Sequence, residues 1–397
     1  MEHLSTRIRS LSVSQTIAMN TRTREMQAQG IDVINLSVGE PDFPTPDHIK
    51  IAAKKAIDDN YTFYPPVPGY PDLRQAVCNK FRMQNNLDFN PDQIVVSTGA
   101  KHCIANVLIC IINPGEEVIV PAPYWVSYVE MVKIAGGKNV IINTTVEADY
   151  KISPEQLENA ISSKTRALLL CSPNNPTGSV YSAEELRDLV SVLARYPDIY
   201  VISDEIYEHI NFTGSYKSIG AFPELAGRVI TVNGVSKAYA MTGWRIGYLG
   251  APLWIARAVT KLQGQMTSGT TTIAQRAAIE ALTGDQSCTA EMNAAFRRRR
   301  DLMINQLEKI KGIKYNIPEG AFYVFPDVSA FFGKSFKGTV ISNAEELCLY
   351  LLDKAHIAAV PGDGFGAPSN IRISYANSDE NLLTAMQRFK DALDALV

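Results

Sequence analysis

The chain has 397 residues, too many for one simple core and suited to two domains. Apolar residues make up 46% and charged residues 20%, the balance of a globule, and a net charge of −3 gives no overall field to draw nucleic acid or an acidic membrane. The six cysteines, at 78, 103, 110, 171, 288 and 348, form no Cys-x-x-Cys pair and the five histidines are scattered, so neither a disulfide framework nor a metal site is expected.

The N-terminus carries Glu2, Arg7 and Arg9 and lacks the apolar centre of a signal peptide. The longest apolar stretch, residues 104–112, is interrupted by Asn106 and too short to span a bilayer, so a cytoplasmic protein is expected. Pro41-Asp-Phe-Pro-Thr-Pro46 reads as a linker. Beyond it, apolar runs alternate with helical patterns: strand 94–97, helix 100–112, strand 117–120 stopped by Pro121, strand 166–171, amphipathic helix 183–195, and strands 199–202, 229–232 and 248–250. These strands are continuous apolar runs, as a mainly parallel sheet covered on both faces requires, which predicts an α/β layer fold. From residue 297 the pattern changes to a charged helix at 297–311, short strands at 322–325 and 371–375, and helices at 344–354 and 379–396, a smaller α+β domain. The basic run Arg297 to Arg300 reads as a solvated face of the first of these helices. We therefore expect a large domain at 46–284 and a small one built from 1–45 and 285–397.

Open parallel sheets bind ligands beyond the carboxyl ends of their strands. Four such ends here are polar: Thr98-Gly-Ala-Lys101, Ser172-Pro-Asn-Asn-Pro-Thr-Gly178, Ser203-Asp-Glu-Ile-Tyr207 and Asn233-Gly-Val-Ser-Lys237. The first opens a helix, and the bare amides of Gly99 and Ala100 suit a phosphate, although a plain strand–helix turn reads the same way. Lys237 follows a buried-looking strand, where a lysine is out of place unless it works or reaches the surface. Asp204 ends an apolar run and needs a cation, or else caps a helix. Arg245 lies between glycines in Gly243-Trp-Arg-Ile-Gly247, and Arg372 lies inside the strand Asn370-Ile-Arg-Ile-Ser374; each is a ligand clamp or, respectively, a structural ion pair and an exposed strand residue. Gly362-Asp-Gly-Phe-Gly366 has the wrong spacing for a dinucleotide fingerprint and reads as a loop.

Taken together, in chain order, these pieces resemble the class I aminotransferases of the pyridoxal-5′-phosphate (PLP) fold type I. The matching motifs are Ser37-Val-Gly-Glu-Pro-Asp-Phe43, Ser172 to Gly178, Asp204-Glu-Ile-Tyr207, Ser236-Lys237 with Gly243-Trp-Arg-Ile-Gly-Tyr248, and Asn370 to Ser374. The nearest likeness is to the bacterial beta branch of aspartate aminotransferases, some of which accept prephenate. The resemblance implies that Lys237 is the Schiff-base lysine and then shuttles a proton, and that Asp204 keeps the pyridine nitrogen charged. It implies that Tyr207 and Asn175 bond the ring hydroxyl, that Trp125 stacks on the ring, and that Arg245, Gly99, Ala100 and Tyr64 take the phosphate. Tyr64 would come from the neighbouring subunit of a homodimer. Arg372 would clamp the substrate α-carboxylate beside Gly39, Trp125 and Asn175. Gly234 departs from the family pattern, in which a serine at this position contacts the phosphate.

A dicarboxylate needs a second cation, a task that falls in this branch to a lysine matching Lys101 with a threonine matching Thr16. The expected reaction moves the amino group of aspartate or glutamate to a 2-oxo acid, with prephenate a further acceptor; Lys101 is otherwise a solvated first-turn lysine. A carbon–sulfur lyase of the same fold, or a non-catalytic protein that keeps it, are the competing readings. No DNA-binding segment accompanies the motifs.

Overall fold

The computed structural model describes residues 3–13 and 15–397, the side chains of Gln15 and Thr16 excepted. Its centre is a seven-stranded sheet of β1 (Ile94–Ser97), β2 (Glu117–Ala122), β3 (Lys138–Asn143), β4 (Thr165–Cys171), β5 (Tyr200–Asp204), β6 (Val229–Gly234) and β7 (Gly247–Gly250). The spatial order is β1-β7-β6-β5-β4-β2-β3. Only β7 runs against its neighbours, pairing antiparallel with both β1 and β6. The other six share one direction, so the loops after β1, β4, β5 and β6 leave from the same end.

Both faces of this sheet are buried, and alternate side chains on each strand go to different cores. Val118, Val120, Leu169, Ile202 and Val232 pack with the helices Ala100–Ile111 and Leu253–Met266, while Ile119, Leu168, Leu170 and Val201 pack with Ala183–Leu193. That two-sided burial is why the strands read as unbroken apolar runs. Each fully buried Leu, Ile or Val contributes about 2 kcal/mol over leaving it in water. The helix Ala183–Leu193 starts where the sequence provides a capping box: Ser182 Oγ accepts from Glu185 N at 3.1 Å and Glu185 Oε2 accepts from Ser182 N at 2.7 Å.

Three boundaries correct the sequence reading. Strand β2 does not stop at Pro121 but runs through it to Ala122. The edge strand β3 was not anticipated: its apolar run is only Val140-Ile-Ile142, between exposed Lys138 and Asn143, and of these three only Ile142 is buried. The charged helix is Ser287–Leu307, starting ten residues before Arg297, because its N-terminal half is small and polar.

A second core joins the two ends of the chain. Met19, Val33, Ile34 and Leu36 share one cluster with Phe296, Met303, Leu347, Ile373, Leu382 and Phe389. The short strand Ile34–Asn35 pairs in parallel with Ile357–Ala358. An antiparallel trio, Val360–Pro361, Ile371–Ser374 and Tyr323–Val324, carries Arg372 towards the large sheet.

Candidate active site

The four polar strand ends converge on one chamber of about 300 Å³, large enough for a small cofactor. Lys237, Asp204, Tyr207, Asn175, Trp125, Ala100, Lys101, Arg245, Arg372 and Gly39 all line it. Gly99 stands just behind, as the cap of the helix Ala100–Ile111, with φ +86°. A β-carbon there would strike the Arg245 guanidinium, so the bare backbone lets Arg245 close over the helix N-terminus. Arg245 is held in turn by the carbonyls of Thr242, at 2.9 Å, and Thr98, at 3.4 Å.

Asp204 ends β5 at the floor of the chamber and is 3% exposed. Its carboxylate accepts from Tyr128 OH at 2.6 Å and from Ile206 N at 3.3 Å. Burial pushes its pKa up to about 6, against the pull of those two bonds and of the Lys237 charge. Lys237 follows β6, and its amine donates to the Gly39 carbonyl at 2.6 Å. Burial brings that amine down to about 8, with Glu40 opposing and Arg372 and Arg245 adding to the fall. Asn175, from the loop after β4, donates to Tyr207 OH at 3.5 Å and accepts from Arg372 Nη1 at 3.1 Å.

Arg372 is 2% exposed and lies over the rings of Tyr323, at 4.6 Å, and Phe365, at 5.0 Å. Its Nη2 donates to the Ser37 carbonyl at 2.7 Å, while its Nε has no protein partner. The Lys101 amine stands 4.8 Å over the Trp125 ring, and burial and Arg245 both lower its pKa. One expected residue lies elsewhere. Tyr64 is 93% exposed and does not line the chamber of its own chain. The side chain of Thr16 lies outside the described residues, although its neighbour Ile17 lines the chamber.

Sequence reasoning missed Tyr128 and Tyr323. Tyr128 lies three residues beyond Trp125, at the start of the helix Ser127–Ile134, where its ring meets that of Trp125 at 5.4 Å, and a second aromatic so close to one already singled out was the available signal. Tyr323 touches Tyr207 OH at 2.9 Å from a two-residue strand beside that of Arg372, a pairing that no local pattern announces. Gly234 also becomes intelligible. A β-carbon there would lie 2.8 Å from the Ile246 carbonyl, so β7 packs too closely for a serine, and the Ser236 side of the turn faces the chamber instead.

The donor set fits a phosphorylated pyridine aldehyde. Asp204 is a buried carboxylate with no salt-bridge partner among the described residues, suited to a ring N–H⁺. Arg245 and the bare helix start suit a phosphate, Trp125 offers a flat face, and Lys237 is an amine of reduced basicity.

A family model for class I and II aminotransferases matches residues 31–389. The aspartate/prephenate aminotransferase of Nitrosomonas europaea is 46% identical over 394 residues, covering 98% of this chain and 99% of that one. A bifunctional aspartate and glutamate/aspartate-prephenate aminotransferase of Petunia hybrida is 44% identical over 395 residues, covering 98% and 82%. Among solved structures, the aspartate aminotransferase of Rhizobium meliloti superposes with a TM-score of 0.96 at 42% identity over 100% of both chains. That of Thermus thermophilus with maleate gives 0.93 at 41% over 99% and 100%.

Proposed function

The chain belongs to the family of class I and II aminotransferases, and from that premise we infer that it transfers the amino group of aspartate or glutamate to a 2-oxo acid, prephenate included. It is a PLP-dependent transaminase of fold type I. The cofactor, when bound, supplies an electron sink that makes the α-proton of the amino acid removable.

The observation that carries the assignment of residues is the placement of an amine, a buried carboxylate and two clamping arginines around one chamber. Asp204, aligned by Tyr128, is positioned to hold a proton on the ring nitrogen. Trp125 would offer its face to the ring, and Tyr207 with Asn175 would hold its hydroxyl. Arg245, Gly99 and Ala100 would take the phosphate, and Ser236, on the chamber wall, would offer it the hydroxyl that Gly234 cannot. Lys237 would hold the cofactor through its amine and, when free, would hold and move a proton at Nζ, a role for which an amine near pKa 8 is suited. Arg372 pairs with the α-carboxylate, already oriented by Ser37 and Asn175 and with its Nε free. Lys101, over Trp125, meets the second carboxylate.

We further read the unit built from residues 1–45 and 285–397 as a domain that closes over the site and expels water. Tyr64 serves the neighbouring subunit of a homodimer. A cytoplasmic setting is supported by six unpaired cysteines, and no helix among the described residues is long and apolar enough to cross a membrane.

The test is a panel of amino donors and 2-oxo acceptors, prephenate among them, run beside Lys237→Ala. Aspartate and glutamate are expected to be the best donors, and the variant to lose at least a thousandfold of the rate, on the order of a deleted catalytic group. Release of ammonia with no 2-oxo acid present would move the chain to the carbon–sulfur lyases.

A further inference from the structure

The basic run that the sequence presents as a solvated helix face is solvated at Arg297 and Arg298 but not at Arg299. Arg299, on the helix Ser287–Leu307, is 6% exposed. Its guanidinium makes a two-pronged pair with Asp42, at 2.7 and 2.9 Å, and reaches Asp379 at 3.4 Å. It lies over the Phe43 and Phe296 rings at 5.1 and 5.7 Å. Its neighbour Arg298 pairs with Asp379 alone, at the surface.

Asp42 and Phe43 belong to the segment whose Gly39 lines the chamber. Three residues before Asp42, the Gly39 carbonyl receives the Lys237 amine; five before, the Ser37 carbonyl receives Arg372. The far end of the segment is fastened to the large unit, where Thr45 donates to the Ala240 carbonyl at 2.6 Å and accepts from Trp244 Nε1 at 3.0 Å. The aromatic contacts run the same way. Phe43 meets Phe296 at 5.6 Å, Phe296 meets Phe322 at 5.1 Å, and Phe322 meets both Tyr207, at 5.6 Å, and Tyr323, at 4.7 Å. Arg299 sits where the ion pair and the ring chain begin.

We propose that Arg299 is a positioning residue for substrate binding: through its two-pronged pair with Asp42 it fixes the segment 37–43, whose Ser37 and Gly39 carbonyls aim Arg372 and Lys237 at the chamber. The inference rests on the transaminase reading for what the aimed groups do, while the fastening itself stands on geometry alone. A planar, two-pronged guanidinium sets both height and angle of its partner, which a point charge does not. Removing it leaves Asp42 unpaired against the Phe43 ring and frees the segment to move by the ångström that matters for orientation.

The experiment compares Arg299→Met, Asp42→Asn, the double variant and Arg298→Met, each cofactor-loaded. Arg299→Met and Asp42→Asn are expected to raise KM for aspartate about tenfold with kcat changed less than about threefold, since the loss is in orienting the bound carboxylate. The double variant is expected to be no worse than the worse single one, and Arg298→Met to match the wild type. Hydrogen exchange of amides 37–43 in the cofactor-free proteins is expected to quicken by about tenfold in Arg299→Met. A KM within twofold of the wild type, or a double variant whose change is the product of the single ones, overturns the proposal even if exchange quickens. If Arg299→Met does not fold, Asp42→Asn, which leaves the helix untouched, decides alone. Should the wild type transaminate nothing, the functional reading fails, and the exchange result still reports on the fastening.

Discussion

At the scale of single residues, the site holds two buried ionisable groups that the cofactor-free fold keeps at a cost. Lys237 is the clearer case. Its amine titrates near 8 in the folded chain against 10.5 ordinarily. Between those values the unfolded chain still holds a proton that the folded chain has released, so this group makes stability rise with pH across that window and lowers it below pH 8. Lys237→Met in the cofactor-free protein is expected to be more stable than the wild type at pH 7 by about 2 kcal/mol or less, since solvent in the open chamber weakens the effect. The gap should close as pH passes from 8 to 10.5. Urea unfolding at both ends of that range measures it, and a gap unchanged with pH would show that the amine carries no such burden. Asp204 has the opposite sign: its carboxyl holds a proton up to about pH 6, so its contribution falls as pH rises from about 4 to 6. Two groups strained in this way in one chamber are what a site awaiting a charged ligand looks like.

At the scale of elements, the large sheet was legible because its strands are buried on both faces and therefore continuously apolar, and the sheet's carboxyl ends were legible because polar residues there stand out against those runs. What escaped was either an edge element with one short, mostly unburied apolar run, as the strand β3, or dependent on distant partners. Arg299 is the plainest example. Four arginines in a row look like a water-facing surface, and only the fold brings Asp42, 257 residues away, beneath the third of them. Lys80 escaped for the same reason. At the end of the helix Pro71–Lys80 it is 4% exposed and ion-paired to buried Glu208, while Asn85 and Asn233 donate to the same carboxylate. Glu205 joins through Asn85 at 3.1 Å, and its carboxyl is pushed up to about 7 by burial and by the charge of Glu208. This cluster ties the helix to the strand ends that carry Asp204 and Lys237. Lys80→Met leaves Glu208 charged, buried and without its cation, and is expected to cost about 3–5 kcal/mol; adding Glu208→Gln should recover at least half. Denaturant midpoints of the two variants check this, and a double variant as unstable as the single one would place the cost in poorer packing.

At the scale of the whole molecule, the question is why the loop bearing Tyr64 is rigid at its base and apolar at its tip. Gln263 Nε2 donates to the Val67 carbonyl at 2.7 Å and to that of Val96 at 2.9 Å, which fastens the loop to β1. Yet Phe63 and Tyr64 are 80% and 93% exposed, with exposed Ile51, Ile57 and Met266 on the same chain. A well-anchored loop that turns two aromatic side chains to water makes physical sense when another surface covers them. The proposed homodimer supplies that surface and explains why Tyr64 is exposed and does not line its own chamber. Subunit mixing tests the arrangement. Tyr64→Ala and Lys237→Ala are each expected to be strongly impaired. When the two are unfolded together and refolded at equal amounts, half of the dimers are hybrids by random pairing. In a hybrid, the chain that keeps Lys237 receives Tyr64 from its partner, so one site is complete and the mixture should regain about a quarter of the wild-type rate. If Tyr64 served its own chain, the subunit with an intact lysine would still lack its tyrosine, and mixing would restore nothing. Recovery therefore depends on the two residues acting across the interface, an outcome that neither variant alone can mimic.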